Sequence, residues 1–305
     1  MDFFTTEIIA VSMILLLLLG IFLGHYLGFV LGGLAVIITY FEWGSGSFYI
    51  FANRIFSVMD NYILVAIPLF VLMAQFLDKG GIAEKLFNSV RYLFASVRGG
   101  VAITVIVVST LLGACTGIIG ASVVTMGLIA LPIMLKYGYD KRLCCGVICA
   151  GGTLGILIPP SIMLIIMASL AEESVGRIFA GAVFPGLILS SLYIIYILIR
   201  AFMRADLFPS IDVDHLESSE KKKILKTCLI NLIPPLLLIF GVLGSIFAGI
   251  ATPTEAAGVG AFLAFVLMVL DGKASFKNIQ DAVIKTALIT GMIMYIIIGA
   301  NCFTT

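Results

Sequence analysis

Residues 98–185 carry long apolar runs interrupted by paired glycines and prolines. Two apolar arms, Val101–Ala114 and Val123–Leu135, flank a glycine-rich tip, Cys115–Ala121. A second apolar segment follows. It is interrupted at Gly151-Gly152-Thr153-Leu154-Gly155 and again at Pro159-Pro160-Ser161. Apolar runs of this length partition into lipid, where no water satisfies a free N–H or C=O. Non-helical backbone survives at that depth only where protein buries it or a water-filled cavity reaches it. The breaks are therefore either packing devices or a binding site.

The chain is 61% hydrophobic and 11% charged, with a mean hydropathy of +1.20. Soluble domains carry about 25% charged residues, so the expected class is an all-α polytopic membrane protein. The first apolar run reads as a retained span, because Asp2 and Glu7 stand where a cleaved signal would be basic. A net charge of +1 points to no nucleic-acid partner. The six cysteines fall mostly inside apolar runs and read as small buried hydrophobes. His25 and His215 are too far apart in sequence to show a metal-ligand spacing.

Residues 8–41 are too long for one span of about 20 residues, and Gly24-His25-Tyr26 divides them into spans near 8–24 and 26–41. Residues 42–60 read as a polar loop, and 61–77 as a span kinked at Pro68. Over 78–97, Ile82, Leu86, Val90 and Phe94 recur every four residues against Glu84, Lys85, Asn88 and Arg91. That pattern predicts an amphipathic helix on the membrane surface, with a soluble linker helix as the second reading. A span near 178–199 precedes a polar linker, 200–227, with Asp212, Asp214, Glu217, Glu220 and Lys221-Lys222-Lys223. Apolar runs at 228–250 and 256–270 are separated by Thr252-Pro253-Thr254-Glu255, which fits a capping box with proline at the first helical position. Residues 274–287 repeat the amphipathic theme, and 288–303 are apolar.

The positive-inside rule orients this pattern. With 78–98 cytoplasmic, every one of the 18 lysines and arginines except Arg54 and Arg177 falls on the cytoplasmic side. Both chain ends then lie outside. The two arms at 101–135 make either two crossings or one re-entrant hairpin, since both have the same parity.

A helix broken in mid-membrane exposes carbonyls at one end, suited to a hard cation such as Na+, and amides at the other, suited to a carboxylate. Pro159 and Pro160 have no N–H, so carbonyls near Gly155 and Ile156 lose their partners. Thr153 and Ser161 add hydroxyl oxygens, and the tip adds Thr116, Gly117, Gly120 and Ser122. On composition alone, close packing explains the same glycines and prolines equally well.

Five segments carry a family resemblance. They are Thr116-Gly117-Ile118-Ile119-Gly120-Ala121-Ser122; Leu131-Pro132-Ile133-Met134 with Gly138-Tyr139-Asp140; Gly152 through Ser161; Phe179-Ala180-Gly181 with Pro185-Gly186; and Gly249 through Ala256. Together they resemble the large membrane subunit of the tripartite ATP-independent periplasmic (TRAP) transporters. The resemblance implies an ion-transporter-superfamily elevator fold with a re-entrant hairpin and a broken helix. It also implies Na+-coupled uptake of a small, carboxylate-type organic anion across the bacterial inner membrane, with no cofactor and no enzyme activity. The implied partners are a periplasmic solute-binding protein and a small four-helix membrane subunit. The Na+ site would draw on Thr116, Gly117, Gly120, Ser122, Gly152, Thr153, Gly155, Pro159 and Ser161, with Ser122 and Ser161 also meeting substrate. The implied division is N-terminal scaffold spans at 1–77 and an arm helix at 78–98. Hairpin and broken helix follow at 99–177, a span and basic linker at 178–227, and the start of a second inverted repeat at 228–305. Relatives of this kind continue into a second hairpin and a second broken helix, so the expectation is a truncated chain with an incomplete second repeat. An inactive remnant, or a structural membrane partner, is the alternative.

Overall fold

The computed structural model describes residues 3–204, 207–209 and 218–304, and these contain thirteen α-helices and no strand. In chain order they are α1 (Phe3–Phe22), α2 (Leu27–Trp43), α3 (Ser47–Met59), α4 (Ala66–Gly80), α5 (Ile82–Leu93), α6 (Gly100–Thr116) and α7 (Ile119–Lys136). Then come α8 (Lys141–Leu157), α9 (Ile162–Leu170), α10 (Val175–Met203), α11 (Ser218–Phe247), α12 (Pro253–Leu270) and α13 (Phe276–Phe303). Six helices, or seven if the bent pair α8–α9 is one span, are long and apolar enough to cross a membrane. The protein is a multi-pass membrane protein. The acidic residues Asp212, Asp214 and Glu217 lie outside the described residues.

The helices fall into two units, Met1–Tyr62 with Ala287–Thr305, and Ile63–Thr286. In the first, the break at Gly24-His25-Tyr26 separates α1 from α2 as expected. The expected polar loop 42–60 is instead a short 3-10 turn, Gly44–Gly46, followed by α3. Burial overrides polarity there. Phe51 and Ile55, one turn apart, close over Ala35 of α2 and Cys302 of α13. Elsewhere on α2, the Phe29 and Tyr295 rings meet at a 60° tilt with centroids 4.8 Å apart.

In the second unit α6 is the central helix. Apolar around its whole circumference, it is buried at nearly every position from Gly100 to Thr116, as a helix without a polar face must be. Two of its hydroxyls bond back one turn, Thr104 to the Gly100 carbonyl and Thr110 to that of Ile106, each at 2.8 Å, while Ser109 Oγ is buried without a hydrogen-bond partner. Helices α4 and α12 pack along their lengths and run in the same direction. Leu69 meets Gly258, Met73 meets Gly260, Phe76 meets Phe265, and Gly80 meets Met268. The charge-derived topology requires the same parallel sense for these two spans. Pro68 does not kink α4. It sits in the first turn, where a missing N–H breaks no intrahelical bond.

The amphipathic segment also differs from expectation. Helix α5 is shorter than 78–97, and its stripe of Ile82, Leu86 and Val90 is buried against other helices rather than laid on lipid. Its polar face is then tied down. Ser89 accepts a hydrogen bond from Asn231 at 2.7 Å, and Lys85 pairs with Asp271. Lys79 at the end of α4 pairs with Asp281 of α13 at 2.9 Å. Between α7 and α8, burial pushes the Tyr139 phenol up to about 12, so it stays neutral and donates to the Pro209 carbonyl at 3.0 Å.

The capping box at α12 forms as read. The Glu255 N–H donates to Thr252 Oγ1 at 3.3 Å, and the Thr252 N–H donates to Glu255 Oε2 at 2.7 Å. Thr252→Ala is expected to cost about 1 kcal/mol by thermal unfolding in detergent, and Thr252→Ser to restore it.

Candidate functional site

The tip is built by the end of α6 and the start of α7. Gly117 closes α6 in the left-handed region (φ 61°), which a side chain would resist, and Ile118 turns extended. Thr116 Oγ1 and Ser122 Oγ meet across the turn at 2.8 Å, and both residues are buried. The break is built by α8 and α9, whose axes differ by 42°. Between them the chain bends at Ile158–Pro160 through a cis Pro159–Pro160 bond, with Ile158 and Ser161 in extended conformations. Pro160 has no N–H for the Ile156 carbonyl, and Ser161 Oγ supplies the missing donor at 2.7 Å. The Gly155 carbonyl faces the same loss at Pro159.

Tip and break touch. A Cβ built on Gly117 would lie 3.0 Å from the Pro160 carbonyl oxygen and 3.2 Å from the Ile162 nitrogen. One built on Gly155 would lie 3.5 Å from Ser122 Oγ and 3.8 Å from the Ile118 carbonyl oxygen. The carbonyl ends of α6 and α8 and the amide ends of α7 and α9 thus converge on one buried spot, with three hydroxyls between them. The oxygens are neutral. Such a set favours a hard monovalent cation at the carbonyl ends and an anionic group at the amide ends.

The nine residues expected at this spot separate. Thr116, Gly117, Ser122, Gly155, Pro159 and Ser161 are buried at the crossing of tip and break. Gly152 is buried against Val123 of α7, where its missing side chain allows the helices to close. Thr153 is exposed and bonds the Ala150 carbonyl of its own helix at 2.7 Å, and Gly120 is exposed with open space beside it. The glycines of α8 also have a packing role. Gly113 of α6 lies against Gly155, and Ser109, one turn earlier, lies against Gly151.

One functional candidate escaped the sequence reading. Asp78, in the last turn of α4, accepts a hydrogen bond from Thr125 of α7 at 2.8 Å. A cavity of about 20 Å³, enough for one water, lies among Asp78, Thr125, Thr116 and Ser122. Asp78 brings a carboxylate next to the neutral oxygens of the tip. Its signal was present, since Gln75 and Asp78 form an i, i+3 polar pair at the end of an apolar run, and Gln75 is buried as well.

The family model described as "Tripartite ATP-independent periplasmic transporter, DctM component" matches residues 10–305. The C4-dicarboxylate TRAP transporter large permease protein DctM of Pseudomonas aeruginosa is 34% identical over 254 residues, 83% of this chain and 57% of that protein. Its namesake in Vibrio cholerae is 39% identical over 68% of this chain and 44% of its own. The ectoine TRAP transporter large permease protein TeaC of Halomonas elongata is 30% identical over 79% of this chain and 55% of its own. The chain spans about half the length of the curated relatives it matches.

Proposed function

The chain belongs to the DctM component family of the tripartite ATP-independent periplasmic transporters, and from that premise we propose that the tip and the break form a Na+ site that couples uptake of a small organic anion. The observation that carries this reading is the buried contact of the tip, which holds Thr116, Ser122 and the Ile118 carbonyl, against the break, which holds Ser161 and the Pro160 carbonyl. Neutral oxygens at helix ends suit Na+. The amide end of α9, with Ser122 and Ser161, would receive a carboxylate. The relatives are named for different substrates, C4-dicarboxylate and ectoine, so the proposal is a class and not a compound. In this reading the hairpin is re-entrant and moves with the broken helix in an elevator step. A periplasmic binding protein delivers the substrate, and a small membrane subunit completes the complex in the inner membrane. The Lys- and Arg-rich face is cytoplasmic and both chain ends are periplasmic, an orientation that rests on the distribution of lysine and arginine.

The test is thermal unfolding of the purified chain in neutral detergent, with NaCl exchanged for KCl at constant ionic strength. Na+ at ten times its dissociation constant should stabilise by about 1.4 kcal/mol, and Ser122→Ala should reduce the shift. A midpoint equal in Na+ and K+ sinks the ion site.

A further inference from the structure

A second cavity, of about 880 Å³, opens between the first turn of α8 and the last turns of α10. Arg142, Arg200 and Arg204 all line it. Among the described residues the one carboxylate lining it is Asp140, engaged as the N-cap of α8 and accepting from the backbone N–H groups of Arg142 at 2.9 Å and Leu143 at 3.2 Å. Among the described residues none of the three arginines has an ion-pair partner, and Arg200 Nε is buried without a hydrogen bond. Sequence position sharpens the imbalance. Lys141 and Arg142 open α8, where the helix dipole is already positive and a cation is disfavoured. Among the described residues, three guanidiniums and a helix N-terminus therefore line one cavity with one carboxylate to balance them.

The rest of the cavity is apolar. Ile106, Val147 and Ile197 form its wall, and Tyr193 and Tyr196 line the α10 side. Tyr196 is 57% exposed and its neighbours Ile195 and Ile199 are 49% and 53% exposed, so the rim on α10 joins a face that meets lipid. A ligand here needs an anionic head near the helix ends and an apolar body running along the span. We propose that this cavity binds an anionic phospholipid of the adjoining leaflet, the phosphate seated among Arg142, Arg200 and Arg204 and an acyl chain against the Ile106–Ile197 wall. Basic pockets between transmembrane helices recognise such head groups by charge. The site lies away from the tip and the break, and it does not depend on Na+ coupling.

The experiment uses the full chain in neutral detergent, titrated with phosphatidylglycerol, phosphatidylethanolamine or inorganic phosphate. Lipid retention is read by native mass spectrometry and thermal stability by unfolding. Phosphatidylglycerol should be retained and should raise the midpoint, and the other two should not. R142Q/R200Q/R204Q should weaken phosphatidylglycerol binding about 100-fold, at about fivefold per charge. R142K/R200K/R204K, which keeps the charge, should retain most of it. If the triple glutamine variant does not fold, Arg142→Gln carries the test at about fivefold, since it removes an exposed cation from an unfavourable helix end. Equal effects of both lipids, or phosphatidylglycerol binding unchanged in the glutamine variants, overturns the proposal. Stabilisation by phosphate alone to the same extent overturns the lipid as its source.

Discussion

Gly113→Ala is expected to destabilise the protein by about 2 kcal/mol and to abolish its response to Na+, while Gly155→Ala is expected to be close to neutral. The two glycines touch, yet the contact is not symmetric. A Cβ on Gly113 would fall 2.8 Å from the Gly155 Cα and 2.9 Å from its nitrogen. Both are backbone atoms and cannot rotate away, so α6 and α8 must separate. Overpacking of this kind costs typically 1–3 kcal/mol, against which better helix propensity returns about 1 kcal/mol. A rigid obstacle places the cost at the upper end. A Cβ on Gly155 would instead meet the Gly113 Cα at 3.4 Å and Ser122 Oγ at 3.5 Å, an ordinary contact. The coupling to function follows from position. Separating α6 from α8 at Gly113 also moves the tip, one turn further along, away from the break it touches through Gly117. Unfolding of both variants in detergent, each in NaCl and in KCl, gives the answer. Equal losses from the two substitutions would show that the glycines are interchangeable spacers and that the close approach drawn here is wrong.

The sequence marked the places where helices stop but not which surfaces they share. The α1–α2 break, the tip, the Pro159–Pro160 break and the α12 cap were all legible, because glycine, proline and a capping box act locally on backbone geometry. What a glycine faces is not local. Gly151, Gly152 and Gly155 read as a loosened backbone with free carbonyls, but they lie within α8, where their missing side chains admit Ser109, Val123 and Gly113. Thr153 was separable in principle. It lies two residues from Gly151 and two from Gly155, about 200° around a helix from each, so those three could not face one neighbour. Asp78 was hidden by a boundary. The 61–77 span stops one residue short of it. With α4 continuing to Gly80, the same residue faces Thr125. Helix α3 was missed because its apolar residues find partners distant in sequence, at Ala35 and Cys302.

Ser161→Ala and Thr153→Ala should therefore part company, although both remove a hydroxyl beside the same break. Ser161 is fully buried, and its hydroxyl is the donor that replaces the N–H Pro160 cannot give to the Ile156 carbonyl. Its removal leaves a buried acceptor unsatisfied, at about 1–3 kcal/mol, and no water stands ready at that depth to repair it. Thr153 is exposed and bonds only within its own helix. Alanine there satisfies the same backbone and has the higher helix propensity, so stability should hold or rise slightly. The Na+ response should divide the same way. If Ser161 belongs to the ion site, its loss blunts the stabilisation by NaCl over KCl, and Ser161→Thr, which keeps the hydroxyl, restores part of it. Thr153→Ala should leave that difference intact. A Na+ response reduced as much by Thr153→Ala as by Ser161→Ala would place the ion on the exposed face of α8, away from the crossing of tip and break. A response untouched by either, with stability lost only in Ser161→Ala, would reduce the break to a backbone repair with no ion in it.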